Sequence, residues 1–66
     1  MELQLSLRKS YQILRKLKNI KLREIADQVN VSVPMLSMYE NENVNLSREK
    51  ERLYRELIIA HEGETI

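Results

Sequence analysis

The chain has 66 residues, no cysteine and a formal net charge of +1. This length predicts one domain with a small core, and the lack of cysteine excludes disulfides and thiolate metal sites. The longest uninterrupted apolar run, residues 57–60, is far shorter than the roughly 20 residues of a membrane-spanning helix, and the N-terminus does not resemble a signal peptide, so we expect a cytoplasmic protein without membrane contact.

The first predicted element is a helix over about residues 4–18. Large apolar side chains recur there at spacings of four, three and three, which is typical of one stripe facing a core. They are Leu7, Tyr11, Leu14 and Leu17. Asn19 is the expected stop, because asparagine tolerates left-handed backbone geometry.

Two short helices follow, over about residues 22–29 and 33–41. Asn30 stands where the chain has to turn, and its side chain type tolerates a positive φ angle. Ser32 is the expected N-cap of the next helix, and Pro34 fits its first turn, where a missing N–H costs little. Residues 41–45 contain three asparagines and predict a loop.

The last predicted helix covers about residues 48–61, with Ser47 as its N-cap and a tail over residues 62–66. Its apolar run wraps around more than one face of the helix, so part of it should be exposed in a monomer. We therefore expect a dimer contact there, made by Leu57, Ile58 and Ile59. Strand patterns are poor throughout, and the chain is predicted to be all-α, with four or five helices.

Charge is unevenly distributed along the chain. Residues 1–23 carry seven Lys or Arg against one Glu, whereas residues 24–47 carry four acidic side chains and no Lys or Arg. Such asymmetry has two interpretations: a basic patch that meets phosphate, or ordinary solvated helix faces. The sequence leaves both open.

The segment 22–41 resembles the helix-turn-helix of the Cro and phage-repressor family, also called the XRE family. The similarity extends over about residues 14–54 and rests on a small residue in the first helix, an asparagine at the turn and apolar positions after it. These residues are Ala26, Asn30, Val31, Leu36 and Tyr39. The resemblance implies a compact phage-repressor-like domain, a transcription regulator that binds double-stranded DNA as a homodimer, and an ion pair between Arg15 and Glu40.

The resemblance also assigns a candidate interface. The helix over about 33–41 would enter the major groove, where base edges are read. Its groove-facing side chains would be Ser32, Val33, Pro34, Ser37 and Met38, and the phosphate contacts would be Lys18, Lys21, Arg23 and Asn41. The chain departs from the family here, because Ser37 offers a hydrogen bond but Val33 and Met38 offer only contact with a thymine methyl group.

This departure supports an alternative interpretation, in which the helix-turn-helix is a protein-interaction module. An apolar and acidic third helix would then bind another regulator through Val33, Pro34 and Met38. Enzymatic and metal-binding functions are not predicted, because one histidine without cysteine offers no partners for a zinc or catalytic site. We expect no cofactor and no small-molecule substrate.

Overall fold

Four helices make up the computed structural model, which describes residues 6–62. They are α1 (Leu7–Leu17), α2 (Leu22–Val29), α3 (Val33–Glu40) and α4 (Arg48–Ala60). The all-α prediction is confirmed, and α2 and α3 with the turn between them form the helix-turn-helix. Within residues 6–62 there is no fifth helix and no helix long and apolar enough to cross a membrane.

Serine hydroxyls cap three of the helices. Ser32 accepts a hydrogen bond from the backbone N–H of Met35, and Ser47 accepts one from that of Lys50, as predicted. The start predicted for the first helix was wrong, because Ser6 is extended (φ −64°, ψ 156°) and caps a helix that begins at Leu7. Residues 1–5, where that prediction began, and 63–66, in the predicted tail, lie outside the described residues.

Left-handed backbone ends two helices where asparagine predicted it. Asn19 has φ 58° after α1, and Asn30 has φ 64° between α2 and α3. The turn at Asn30 lets the N–H of Val31 donate to the carbonyl of Ala26 at 3.0 Å, which satisfies a carbonyl at the end of α2. Glu42 also has a positive φ, 63°, and nothing in its side chain type predicted that.

The core lies where α2, α3 and α4 meet. Ala26 is buried at the centre of α2, and a larger side chain there would separate the packed helices. The rings of Tyr39 and Tyr54 meet edge to face with centroids 5.3 Å apart, which confirms them as core residues. The buried apolar side chains are Ile20, Ile25, Ala26, Val29, Leu36, Tyr39, Tyr54 and Ile58.

The apolar stripe predicted for α1 is only partly buried. Leu7 and Leu17 are 57% and 74% exposed, whereas Gln12 and Arg15 are buried. The helix is thus rotated about its axis relative to the prediction. Hydrogen bonds cause this rotation. Gln12 and Arg15 both donate to the carboxylate of Glu40 on α3, so the side of α1 that carries them faces inward.

Three helices end one residue earlier than predicted: α1 ends at Leu17, α3 at Glu40 and α4 at Ala60. Asn41 is the C-cap of α3, and His61 is the C-cap of α4. On α4 the row of Tyr54 and Ile58 faces the core. Because α4 packs on α1 and α2 through this row, its opposite side is left to solvent.

Candidate nucleic-acid interface

A buried carboxylate fixes the position of α3. Arg15 donates to Glu40 from Nε at 2.7 Å and from Nη2 at 2.9 Å, and Glu40 is only 2% exposed. The ion pair implied by the family resemblance is therefore present, in two-pronged geometry. Tyr54 donates its hydroxyl to the same carboxylate at 2.7 Å, and the Gln12 amide donates at 3.4 Å. One side chain of α3 is thus bonded to both α1 and α4.

Burial of this ion pair is tolerable because its polar atoms have partners. Arg15 also donates from Nη1 to the carbonyl of Ile20 at 2.8 Å, and no buried side-chain nitrogen or oxygen in residues 6–62 lacks a hydrogen bond. Burial, together with the hydrogen bond to Glu40, raises the pKa of the Tyr54 phenol. The network holds the helix in place, and it also removes the only acidic side chain of α3 from the surface.

The outward side of α3 is consequently apolar and uncharged. Val33 is 37% exposed and Met38 is 42% exposed, Pro34 is also exposed, and Ser37 is half-buried. The predicted interface residues of α3 therefore reach the surface together. Ser32 is exposed as well, but its hydroxyl already accepts the N–H of Met35 at 3.1 Å, so it acts as a cap.

The end of α3 is closed by Asn41. Its side-chain amide donates to the carbonyl of Ser37 at 2.9 Å, and the residue is exposed. This bond satisfies one of the backbone carbonyls that have no intrahelical partner at the C-terminus of a helix. It also orients the Asn41 side chain beside the outward side of α3.

Arg8 organises the loop after α3, a role that sequence reasoning missed. Its guanidinium lies 4.1 Å from the centroid of the Tyr39 ring and donates to the carbonyls of Tyr39 and Val44 and to Asn45 Oδ1. Tyr39 in turn donates its hydroxyl to Glu51 at 2.7 Å, and burial with this bond raises its pKa to about 12. The partners of Arg8 lie more than thirty residues away, so no local pattern indicated them.

Lys18 has a different partner from the predicted phosphate. Its ammonium donates to the carbonyls of Ile58, Ile59 and His61 at 2.8 to 3.0 Å, at the end of α4. A cation there balances the partial negative charge of the helix C-terminus. The structure therefore gives Lys18 a role in fixing α4 against α1.

Two of the predicted phosphate contacts are exposed at the start of α2. Lys21 is its N-cap residue, and Arg23 lies in its first turn. The N-terminus of a helix carries partial positive charge, which adds to these cations and favours a phosphate there. At the other end of α2, Lys50 donates to the carbonyl of Asn30 at 3.2 Å and holds the turn between α2 and α3.

The three residues of the predicted dimer contact have different surroundings. Ile58 lies fully inside the chain's own core and is not available to a second copy, because the inward row of α4 includes it. Leu57 is half-buried, and Ile59 is exposed. No group of His, Cys, Asp or Glu within residues 6–62 is arranged to hold a metal ion.

Comparison with known families agrees with this geometry. Residues 12–50, more than half of the chain, match the family described as helix-turn-helix. The chain belongs to this family, of Cro and XRE type, which is a family of DNA-binding regulators and not of enzymes. No curated protein and no solved structure gives a significant match.

Proposed function

We propose that this member of the helix-turn-helix family is a small repressor-like transcription regulator that places α3 in the major groove of double-stranded DNA. The observation that carries the proposal is the combination of an exposed outward side of α3 with two exposed cations, Lys21 and Arg23, at the start of α2. Phosphate contacts position such a protein, and contacts with base edges give it sequence preference.

The proposed base contacts are mainly apolar. Val33 and Met38 suit thymine methyl groups in the major groove, and Ser37 offers one hydroxyl. Because Glu40 is buried, α3 brings no acidic side chain near the phosphates. We therefore expect a preference for A·T pairs at the positions under Val33 and Met38.

The proposed phosphate contacts are Lys21 and Arg23, with Asn41 as a neutral contact at the other end of α3. Two cationic contacts give modest affinity, since each neutralised phosphate contributes through the release of counterions, whereas a neutral contact releases none. A homodimer would double the number of contacts and would place two copies of α3 about 34 Å apart on one face of the DNA.

The test is a titration of genomic DNA fragments with the purified protein at several salt concentrations. Lys21→Ala should weaken binding to all sequences alike and reduce the slope of log K against log salt by about 1 per chain. Lys21→Arg keeps the charge and is the matched control, so its slope should equal that of the parent. Failure of the parent to bind any fragment at low salt would exclude the proposal.

A second function is favoured by the same apolar surface: Val33, Pro34 and Met38 would bind another regulator instead of DNA. Under this alternative the protein leaves DNA unbound at low salt and forms a stoichiometric complex with a protein partner. Val33→Lys and Met38→Glu should then release that partner. Retention of the partner by both variants would show that the interface lies elsewhere.

A further inference from the structure

One side of α1 is apolar and is not covered by the chain's own fold. Its large side chains are 57% exposed at Leu7, 39% exposed at Ile13 and 74% exposed at Leu17, and the half-buried Leu14 lies among them. Helical spacing brings these residues and the small Ser10 to the same part of the helix surface, away from the buried side. The outer side of α1, as we call it, consists of Leu7, Ser10, Ile13, Leu14 and Leu17.

A groove between α1 and α4 continues this apolar surface. Its volume is about 220 Å³, it is open to solvent, and it is lined by Ser10, Tyr11, Leu14 and Ile59. Sites for small molecules usually have about 300–1,000 Å³ and enclose most of their ligand. An open groove of this size therefore suits one apolar side chain of a larger partner.

Cations without an acidic partner border the outer side of α1. The helix contains four basic residues and no acidic one. Arg8 and Arg15 are bonded within the fold, but among residues 6–62 no acidic group forms an ion pair with Lys9 or Lys16. These two lysines lie two turns apart, and each is one turn from Ile13. The surface thus combines an apolar centre with a positive edge.

We propose that the outer side of α1 binds an acidic amphipathic helix of another protein. The apolar side of that helix would cover the exposed leucines, one of its large side chains would enter the groove, and its carboxylates would approach Lys9 and Lys16. Because α1 is about 16 Å long, a partner helix of about three turns is sufficient to cover it.

Charge distinguishes this partner from others. A second α1 helix offers no acidic side chain to Lys9 and Lys16. The backbone of DNA would meet these lysines with phosphates, but it would leave the neighbouring leucines in water. An anionic lipid surface would satisfy both features, yet it offers no side chain that fits the groove. An acidic amphipathic helix accounts for the cations, the leucines and the groove together.

This inference goes beyond the proposed function and does not depend on it. The bonds from α1 to α3 come from Gln12 and Arg15, on the buried side of α1. A partner on the outer side therefore leaves Val33 and Met38 free to contact DNA. Failure of one proposal leaves the other standing, since the experiments that follow use no DNA.

Three synthetic peptides of about 16 residues serve as probes, a length at which an isolated helix can form. Two carry leucine at spacings of three and four, with alanine and either glutamate or lysine at the other positions. The third has the composition of the glutamate peptide in scrambled order. Fluorescence anisotropy of the labelled peptides measures their dissociation constants with the full chain. The glutamate peptide should bind at least about tenfold more tightly than the other two.

Variants of the chain locate the contact. Leu17→Glu should raise the dissociation constant of the glutamate peptide at least about tenfold, because it places a carboxylate in the apolar contact. Lys9→Gln/Lys16→Gln should raise it about three- to tenfold and remove most of its salt dependence. Leu53→Glu adds the same charge at an exposed leucine of α4 outside this surface, so this matched control should bind like the parent.

The proposal is overturned if the glutamate peptide binds no more tightly than the lysine peptide, or if Leu17→Glu binds it like the parent. Circular dichroism shows whether Leu17→Glu is folded. If it is not, the double lysine variant decides, and unchanged affinity there overturns the proposal. Binding of the parent to phosphatidylglycerol vesicles, without binding to any peptide, would assign the surface to a membrane instead.

Discussion

The inward and outward sides of α3 differ in chemistry although the same eight residues supply both. The inward side places Leu36, Tyr39 and Glu40 in the core, and the side-chain oxygens of Tyr39 and Glu40 are bonded to α1 or α4. The outward side presents Val33, Pro34 and Met38, which are exposed and uncharged. The inward side therefore determines where the helix sits, and the outward side is left to determine what it recognises. Substitutions on the two sides should separate stability from recognition.

The largest expected effect is on the inward side. Glu40→Ala leaves Arg15 buried without its partner and should lower the free energy of unfolding by about 3–5 kcal/mol. That is a large fraction of the roughly 3–10 kcal/mol expected for a domain of this length. Urea denaturation followed by circular dichroism measures the loss.

Two further variants isolate the buried pair from the general cost of a substitution. Arg15→Ala/Glu40→Ala should cost less than the two single variants added together, because neither charge is then left alone. Arg52→Ala breaks an exposed ion pair and should cost about 0.5 kcal/mol or less. If Glu40→Ala proves no worse than Arg52→Ala, the inward network does not hold α3 in place.

A smaller effect is expected at Tyr54, whose hydroxyl donates to the carboxylate of Glu40. Tyr54→Phe removes the hydrogen bond to Glu40 and should lower the free energy of unfolding by about 1.5–3 kcal/mol at neutral pH. The ring packing against Tyr39 remains, so the loss reports the hydroxyl. An unchanged midpoint in urea would contradict this.

The two buried tyrosines also predict an alkaline limit to stability. Burial and carboxylate partners raise the pKa of Tyr54 and raise that of Tyr39 to about 12, whereas an unfolded tyrosine ionises near 10. The unfolded chain therefore releases these protons first. Stability from this source is complete below about pH 10 and declines above it; the contribution of Tyr39 is lost as the pH rises through about 12, and that of Tyr54 at a higher pH. Unfolding curves below and above pH 10 should show this decline, and Tyr54→Phe should make it shallower.

Local features of this fold were predictable from the sequence, and its long-range polar contacts were not. Ser32, Ser47 and Asn30 act on neighbouring backbone, so residue type and spacing suffice to predict their roles. The exposure of Leu17 was not predictable from the stripe, because the rotation of α1 depends on a carboxylate twenty-five residues from Arg15. A signal for this rotation was the Arg15–Glu40 pair implied by the family resemblance, because that pair requires the side of α1 that carries Arg15 to face inward.

The candidate site shows the same division. Helical spacing within α3 predicted the exposure of Val33 and Met38, because it puts them on a different side of the helix from the buried Leu36 and Tyr39. The partners of Lys18 lie on a helix about forty residues away. A lysine in a basic segment looks the same in sequence whether it meets a phosphate or the end of another helix, so only the packing of α1 on α4 assigns it.

The smallest effect on stability, and the most informative about recognition, is expected at Met38. Met38→Ala should change the free energy of unfolding by about 0.5 kcal/mol or less, because the side chain is exposed. If α3 reads thymine methyl groups, the same change should reduce discrimination at one base pair by about 1 kcal/mol, or roughly fivefold, while binding to unrelated DNA stays the same. Leu53→Ala removes an exposed apolar side chain from α4 and should leave both properties unchanged. Selection of binding sites from random DNA with all three proteins measures the difference. Identical preferences for the parent and Met38→Ala would mean that this outward residue does not read bases, and the separation of the two sides of α3 would then hold for stability alone.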